Sequence, residues 1–207
     1  QWNSFNNTTF TLATGTHTLI IGGREDNTQL DKLLLTTDLN FTPTGLGTIP
    51  PVAPITEDHW LEAEYPTTIT APMQTQHDGL ASNETYIEVP DGNGLNVGSS
   101  TYDIVIDEAG DYTLWGRVST SNIGNDIFFD NVNGGSDTNW DIPEVTDWTW
   151  QQVKAAGSQD PLVLTLSAGT STLMIKGRED ETKLDKLFLT NDFSATPTVL
   201  GETAENL

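Results

Sequence analysis

Two short stretches hold the residue types that could do chemistry. The first is "LEAEY", Leu61 to Tyr65, in which two carboxylates are spaced two apart. In an extended strand that spacing puts Leu61 and Ala63 on one face and Glu62 and Glu64 on the other. Far downstream, in "LDKLFLT", Asp185 alternates with Leu187 and Leu189, so its carboxylate is expected to point with the core side chains. An inward carboxylate without a partner is costly. An oxygen-preferring cation such as Ca²⁺ would remove that cost. The alternative is that Asp185 pairs with Lys183 or Arg178 while the two glutamates are solvated.

The second stretch is "GRED", Gly177 to Asp180. Arg178 offers a planar fork of donors, and Glu179 and Asp180 offer acceptors. Sugar hydroxyls need paired donors and acceptors of this kind, beside an aromatic platform. Upstream, "WTWQQV" places Trp148 and Trp150 two apart, hence on one side of a strand. If that side is the inner one, both are packing residues, and an Arg–Asp pair then merely locks the loop.

Catalytic patterns are missing. Acidic residues are so numerous that a pair of them signals nothing about glycoside hydrolysis. His17, His59 and His77 are isolated, with neither HExxH nor G-x-S-x-G in the chain. "DNVNGGSD" lacks the ligand spacing and closing Glu of an EF-hand loop and reads as a hairpin turn. The chain is not expected to be an enzyme.

The elements that must position these residues read as short strands. "YDIVID", "DYTLWGRV", "DIFFDNV", "PLVLTLS", "STLMIKG" and "LDKLFLT" alternate with period two between Gly, Asn and Asp clusters. No window has a helical period. An all-β antiparallel sandwich is the expected fold.

The 207 residues also contain a repeat. Leu12–Asp38 and Leu166–Asp192 align without gaps and agree at roughly two-thirds of positions. The likeness continues from "TPTGLG" (Thr42 to Gly47) to "TPTVLG" (Thr196 to Gly201), and "WNSF" loosely matches "WQQV". The expected organisation is the last third of one unit over 1–46 and a stiff Pro-rich linker over 47–58. A complete sandwich follows over 59–193, then the start of another linker over 194–207, with Gly201 to Leu207 disordered on its own. About three strands cannot bury their own apolar face. The partial repeat is therefore either a segment of a tandem array or a set of strands that docks on neighbouring copies of the same protein.

Taken in order, "LEAEYPTTITAPMQ", "NETYIEVPDG", "DYTLWGRV", "WTWQQV" and "AG.STL.I" running into "RED.TKLDKLFLT" resemble the carbohydrate-binding modules of families 6 and 35. Those modules have a jelly-roll sandwich of the galactose-binding-like type. The resemblance spans about Trp60 to Asp192 and is echoed in Leu12 to Asp38. It implies a structural Ca²⁺ held by Glu62, Glu64, Asp185 and backbone oxygens, with Asp31 as the repeat's equivalent. It also implies polysaccharide binding at the loop end by Arg178, Glu179 and Asp180, with stacking on Trp148 or Trp150 and Trp140 as a weaker platform. The loops here are rich in Asn and Asp and offer no aromatic between Trp115 and Phe128.

Thirty acidic residues face eight basic ones, a formal charge of −22. That balance repels nucleic acid and anionic membrane and suits a marine or salt-rich medium. The chain has no cysteine and no apolar run near the ~20 residues of a membrane span, so no membrane insertion is expected. The expected setting is extracellular, at a bacterial cell surface. The expected role is non-catalytic glycan recognition; the alternative is a structural repeat of an adhesin stalk or filament.

Overall fold

The structure, a computed structural model, describes residues 9–12, 17–24, 26–38, 40–45, 56–120, 127–154 and 158–206. The side chains of residues 127, 129 and 130 are not part of that description. The chain divides into two compact units, 1–53 and 54–207.

Among its described residues the second unit has twelve strands in chain order. They are β1 (Asp58–Glu62), β2 (Thr68–Thr70), β3 (Gln74–His77), β4 (Thr85–Glu88), β5 (Ser99–Ile106) and β6 (Gly110–Ser119). Then follow β7 (Ile127–Val132), β8 (Thr138–Asp141), β9 (Thr149–Gln152), β10 (Leu164–Leu166), β11 (Gly169–Gly177) and β12 (Lys183–Thr190). A seven-stranded sheet runs β10-β6-β12-β4-β3, with β1 also on β12 and β9 also on β6. The other sheet runs β2-β5-β11-β7-β8. Every pairing is antiparallel. The expected all-β sandwich is what forms.

The core lies between the sheets and follows the period-two pattern. Tyr102, Ile104 and Ile106 of β5 meet Leu114 and Val118 of β6 and Leu187 and Leu189 of β12. Gly116 lets β6 approach the indole of Trp140, since a Cβ there would stand 2.2 Å from that ring. Trp140 is 1% exposed. It is a core residue, which removes it from the candidate sugar platforms.

One irregularity decides where a functional side chain goes. The β12–β6 register shifts between Leu184 and Lys186. This bulge lets Leu184 join the core together with Leu187 and Leu189. Asp185 is thereby released from the simple alternation that would have aimed it inward. It turns instead to Arg117 and the backbone of Ser82.

The tail also differs from expectation. Glu205 N–H donates to Trp60 O (2.9 Å), and Asn206 Nδ2 donates to Glu62 O (3.0 Å) and Tyr65 O (2.9 Å). Asn206 Oδ1 in turn accepts from Glu62 N–H (2.8 Å). Residues 201–206 are therefore anchored beside β1 rather than disordered, because they satisfy its otherwise unpaired edge. The unit extends through residue 206 of the segment first read as a linker.

The first unit has no strand among its described residues. Leu33 is 55% exposed there, while Leu187, its equivalent in β12, is fully buried. Turn geometry is nonetheless shared: Asn27 and Glu181 have φ of 62° and 58°, and Gly45 and Val199 have 59° and 50°. Turns are encoded locally, whereas strands need partners. Most of the linker 47–58 and all of "WNSF" lie outside the described residues.

Candidate functional site

The carboxylates of β1 and β12 converge on the outer side of the seven-stranded sheet, beneath the segment Asp78–Thr85. Leu61 and Ala63 face the core as expected. Glu62 and Glu64 take the opposite face. Glu62 Oε1 accepts from Ser82 Oγ and lies 2.9 Å from each of Ser82 Oγ and Lys186 Nζ. Glu64 Oε1 accepts from Thr85 Oγ1 (2.7 Å). Asp185 is fully buried; its Oδ1 accepts from Ser82 N–H (2.7 Å) and its Oδ2 pairs with Arg117 Nη1. Arg117 also donates to Leu80 O, which ties the covering segment down.

The electrostatics of this cluster are short of positive charge. Burial pushes Asp185 up to about 6, against the lowering effect of Arg117. Burial likewise pushes Glu64 up to about 6, and the charges of Glu62 and Asp185 add to it. Glu62 Oε2 and Glu64 Oε2 are buried without a hydrogen-bond partner. Orphaned carboxylate oxygens at the end of β1 and in the turn that follows it fit a hard cation. Both oxygens of Asp185 are already engaged, so the open carboxylate oxygens belong to the two glutamates. Accordingly, no group of three acidic or histidine side chains among the described residues is set to hold a metal by itself. Asp31 is exposed and lies outside any strand, and no metal-holding group forms around it among the described residues.

Trp148 and Trp150 do share a side, and that side is the outer one. Arg117 pairs with Trp150 across β6 and β9. Trp148 is partly buried, donates Nε1–H to Asp78 Oδ2 (3.1 Å) and meets Tyr86 edge-on at 5.4 Å. Arg117 stands 5.5 Å over its ring, and Lys183 Nζ stands 5.4 Å over Tyr86. Trp150 makes an edge contact with Trp60 at 5.7 Å, and Trp60 stacks on Phe188 at 3.9 Å. Trp150 Nε1–H donates to Val199 O (3.1 Å).

The Arg178 turn lies at the same end of the sheet as Trp148, because Lys183 pairs with Ser119 and Thr149 with Val118. Arg178 Nη1 pairs with Glu179 Oε1 at 2.5 Å, not with Asp180. Asp180 Oδ2 accepts from Gly92 N–H (3.0 Å) and Gly94 N–H (3.4 Å). Both glycines have positive φ, which brings their amides to one carboxylate oxygen. Asp180 is thus a loop clamp, while Arg178 remains about a third exposed. Lys183 connects this turn to the Tyr86–Trp148 pair. Sequence reasoning passed over Asp78, Tyr86, Arg117 and Lys186; only the outward alternation of Arg117 between Gly116 and Val118 hinted at one of them.

No family model matches the chain, and no curated protein matches it. Solved structures do. A family 35 carbohydrate-binding module from Clostridium thermocellum aligns with a TM-score of 0.51 and 21% identity, over 63% of this chain and 97% of that one. The C-terminal family 6 module of a marine laminarinase from Zobellia galactanivorans aligns at 0.50 and 16%, over 65% of this chain and all of the other. The second unit has the fold of carbohydrate-binding modules of families 6 and 35. A Podospora anserina GH26-CBM35 β-(1,4)-mannanase aligns at 0.53 and 18%. The match covers 68% of this chain and only 29% of that enzyme. The Arg178 turn and Trp148 lie at one end of the seven-stranded sheet, and the buried carboxylates lie under its outer face.

Proposed function

We propose that the second unit is a non-catalytic carbohydrate-recognition module that takes polysaccharide on Trp148, beside the Arg178 turn. One observation carries this reading: Trp148 is held in a fixed pose by Asp78 and Tyr86 and is only partly buried. With Arg117 over one face of the ring and Lys183 and Arg178 at the same end of the sheet, the indole provides a fixed stacking plane near donors. Glu179 and Asp180 complete the polar lip. The formal charge of −22 favours neutral over acidic glycans. Burial raises the pKa of Glu64, Glu88 and Asp185; of these, Glu64 and Asp185 lie beneath the Ser82 turn and are bonded to Thr85, Ser82 and Arg117. They are not placed to protonate a glycosidic oxygen.

Ca²⁺ on Glu62 Oε2 and Glu64 Oε2 would brace the β1 edge by neutralising the two orphaned oxygens. Its role is structural. The setting that suits such a module is a secreted or surface-exposed bacterial protein of several domains.

A second reading, a structural repeat of an adhesin or filament, is favoured by the first unit. Its described apolar side chains, Leu33 to Leu35 among them, are exposed although their equivalents in β12 are core. Strands of a neighbouring copy would be their natural cover.

Binding of the whole chain to a panel of neutral and acidic polysaccharides separates the two. Recognition predicts binding that falls at least about tenfold in Trp148→Ala and in the Arg178→Ala, Asp180→Ala double variant. A folded chain that binds nothing, yet grows in mass with concentration in light scattering, would establish the repeat reading instead.

A further inference from the structure

We propose that the segment Thr196–Asn206 is a hinged strap, closed over the Trp60–Trp150 pair and competing with a sugar ring for that pair. The competition rests on the recognition reading above; the hinge does not. Gly201 lies so close to Trp60 that a Cβ there would stand 2.3 Å from the indole and 3.1 Å from Trp150. The strap thus occupies the space into which a ring stacking on these tryptophans would come.

Its hold is of an unusual kind. The strap touches the tryptophans through a glycine and a carbonyl, while the side chains of Val199 and Leu200 are 83% and 42% exposed. A permanently docked segment would bury those apolar groups. Its remaining anchors are two small buried side chains, Pro197 and Ala204, and polar bonds: Lys186 Nζ to Glu202 O (2.6 Å), Glu205 N–H to Trp60 O, Glu205 Oε1 to His59 Nδ1 (2.9 Å), and Asn206 to Glu62 and Tyr65.

The strap is also strained at one point. Gly201 N–H closes a four-residue turn onto Thr198 O (2.9 Å), and its first central residue, Val199, has φ +50°. A β-branched residue in that region is a real outlier. The equivalent position in the first repeat is Gly45, with φ +59°. A glycine adopts this φ without strain at the equivalent position, whereas Val199 adopts it with strain, which biases the strap of the complete unit toward opening.

Hydrogen exchange of the Trp150 indole N–H in the full chain reads opening directly, because that proton is held by Val199 O. Exchange faster than that of core amides such as Leu187 is expected. Val199→Gly should slow it by a factor of roughly 5–30 by removing the strain, and Gly201→Ala should speed it. If the indole exchanges only at the rate of global unfolding, or if Val199→Gly leaves it unchanged, the strap is a fixed part of the fold and the proposal falls. Polysaccharide binding then tests the competition: weaker in Val199→Gly and tighter in Gly201→Ala supports it, and equal binding in all three overturns it. Exchange that shifts in chains that bind no glycan leaves the hinge standing and overturns the recognition reading. Should Gly201→Ala fail to fold, Val199→Gly decides the matter alone.

Discussion

Lys186 and Glu62 face each other across paired strands with Nζ 2.9 Å from Oε1, and both side chains are almost completely withdrawn from water. Arg117 makes the neighbouring pair with Asp185. Two of the chain's eight basic residues thus sit in one buried cluster with three carboxylates. Removing one partner of such a pair leaves a charge without compensation. Lys186→Met is expected to cost about 3 kcal/mol in urea unfolding, and adding Glu62→Gln to it should return part of that loss. Equal stability of the wild type and Lys186→Met would refute the pairing.

The orphaned oxygens of Glu62 and Glu64 lead to a metal test. Calcium at about a hundredfold over its Kd should raise the unfolding midpoint by roughly 5–10 °C relative to chelator. Glu64→Gln should abolish most of that rise. Identical melts in calcium and in chelator would remove the cation from this site.

Gly116 has no room for a side chain, because a Cβ would meet Trp140 at 2.2 Å and Leu184 at 3.0 Å. Gly116→Ala should lose about 2 kcal/mol through overpacking. Near-ultraviolet circular dichroism should change with it, since the Trp140 ring must move. A stable variant with an unaltered spectrum would mean that this part of the core is loose.

Stability should fall at both ends of the pH range, for opposite reasons. Burial alone would raise Glu57, but Tyr112, the amides of Asp107 and Glu108, and His59 together hold it at about 2, below its ordinary 4.5. Its contribution is present above pH 4.5 and is lost as pH falls from there toward 2. Burial alone would lower His59, but the hydrogen bonds and charges of Glu205 and Glu57 outweigh it and raise its pKa above 6.5. That contribution is complete below pH 6.5 and is lost as pH climbs through the raised value. Glu57→Gln should flatten the acid limb of urea stability against pH, and His59→Asn the alkaline one. If both limbs keep their slopes in these variants, the cluster carries no linkage.

The strands and their faces were legible because period-two alternation is a local signal. Tyr102, Ile104 and Ile106 fell inward, and Trp148 and Trp150 fell on one side, as their spacing requires. Which side the tryptophans took was not legible, since it depends on β9 pairing with β6 at Arg117. Asp185 was misplaced because a bulge shifts the phase of a strand without marking the sequence. The tail escaped notice for a related reason. Its bonds to Trp60, Glu62 and Lys186 run largely through backbone groups and one asparagine, and no periodicity announces them. The Arg178 turn was found as a motif, yet the division of labour within it, pairing for Glu179 and clamping for Asp180, depends on Gly92 and Gly94 from a distant loop.

The clasp between Asn206 and Glu62 has a mechanical consequence. The segment that enters the unit and the segment that leaves it are bonded directly to each other, by Glu62 N–H to Asn206 Oδ1 and by Asn206 Nδ2 to Glu62 O and Tyr65 O. Tension applied to the chain on both sides of this unit would therefore be borne first by that short seam. The five-stranded sheet lies off the line of force. A stretched unit should yield at the seam in a small early step, with most of its contour length released only later, when β1 is stripped from β12.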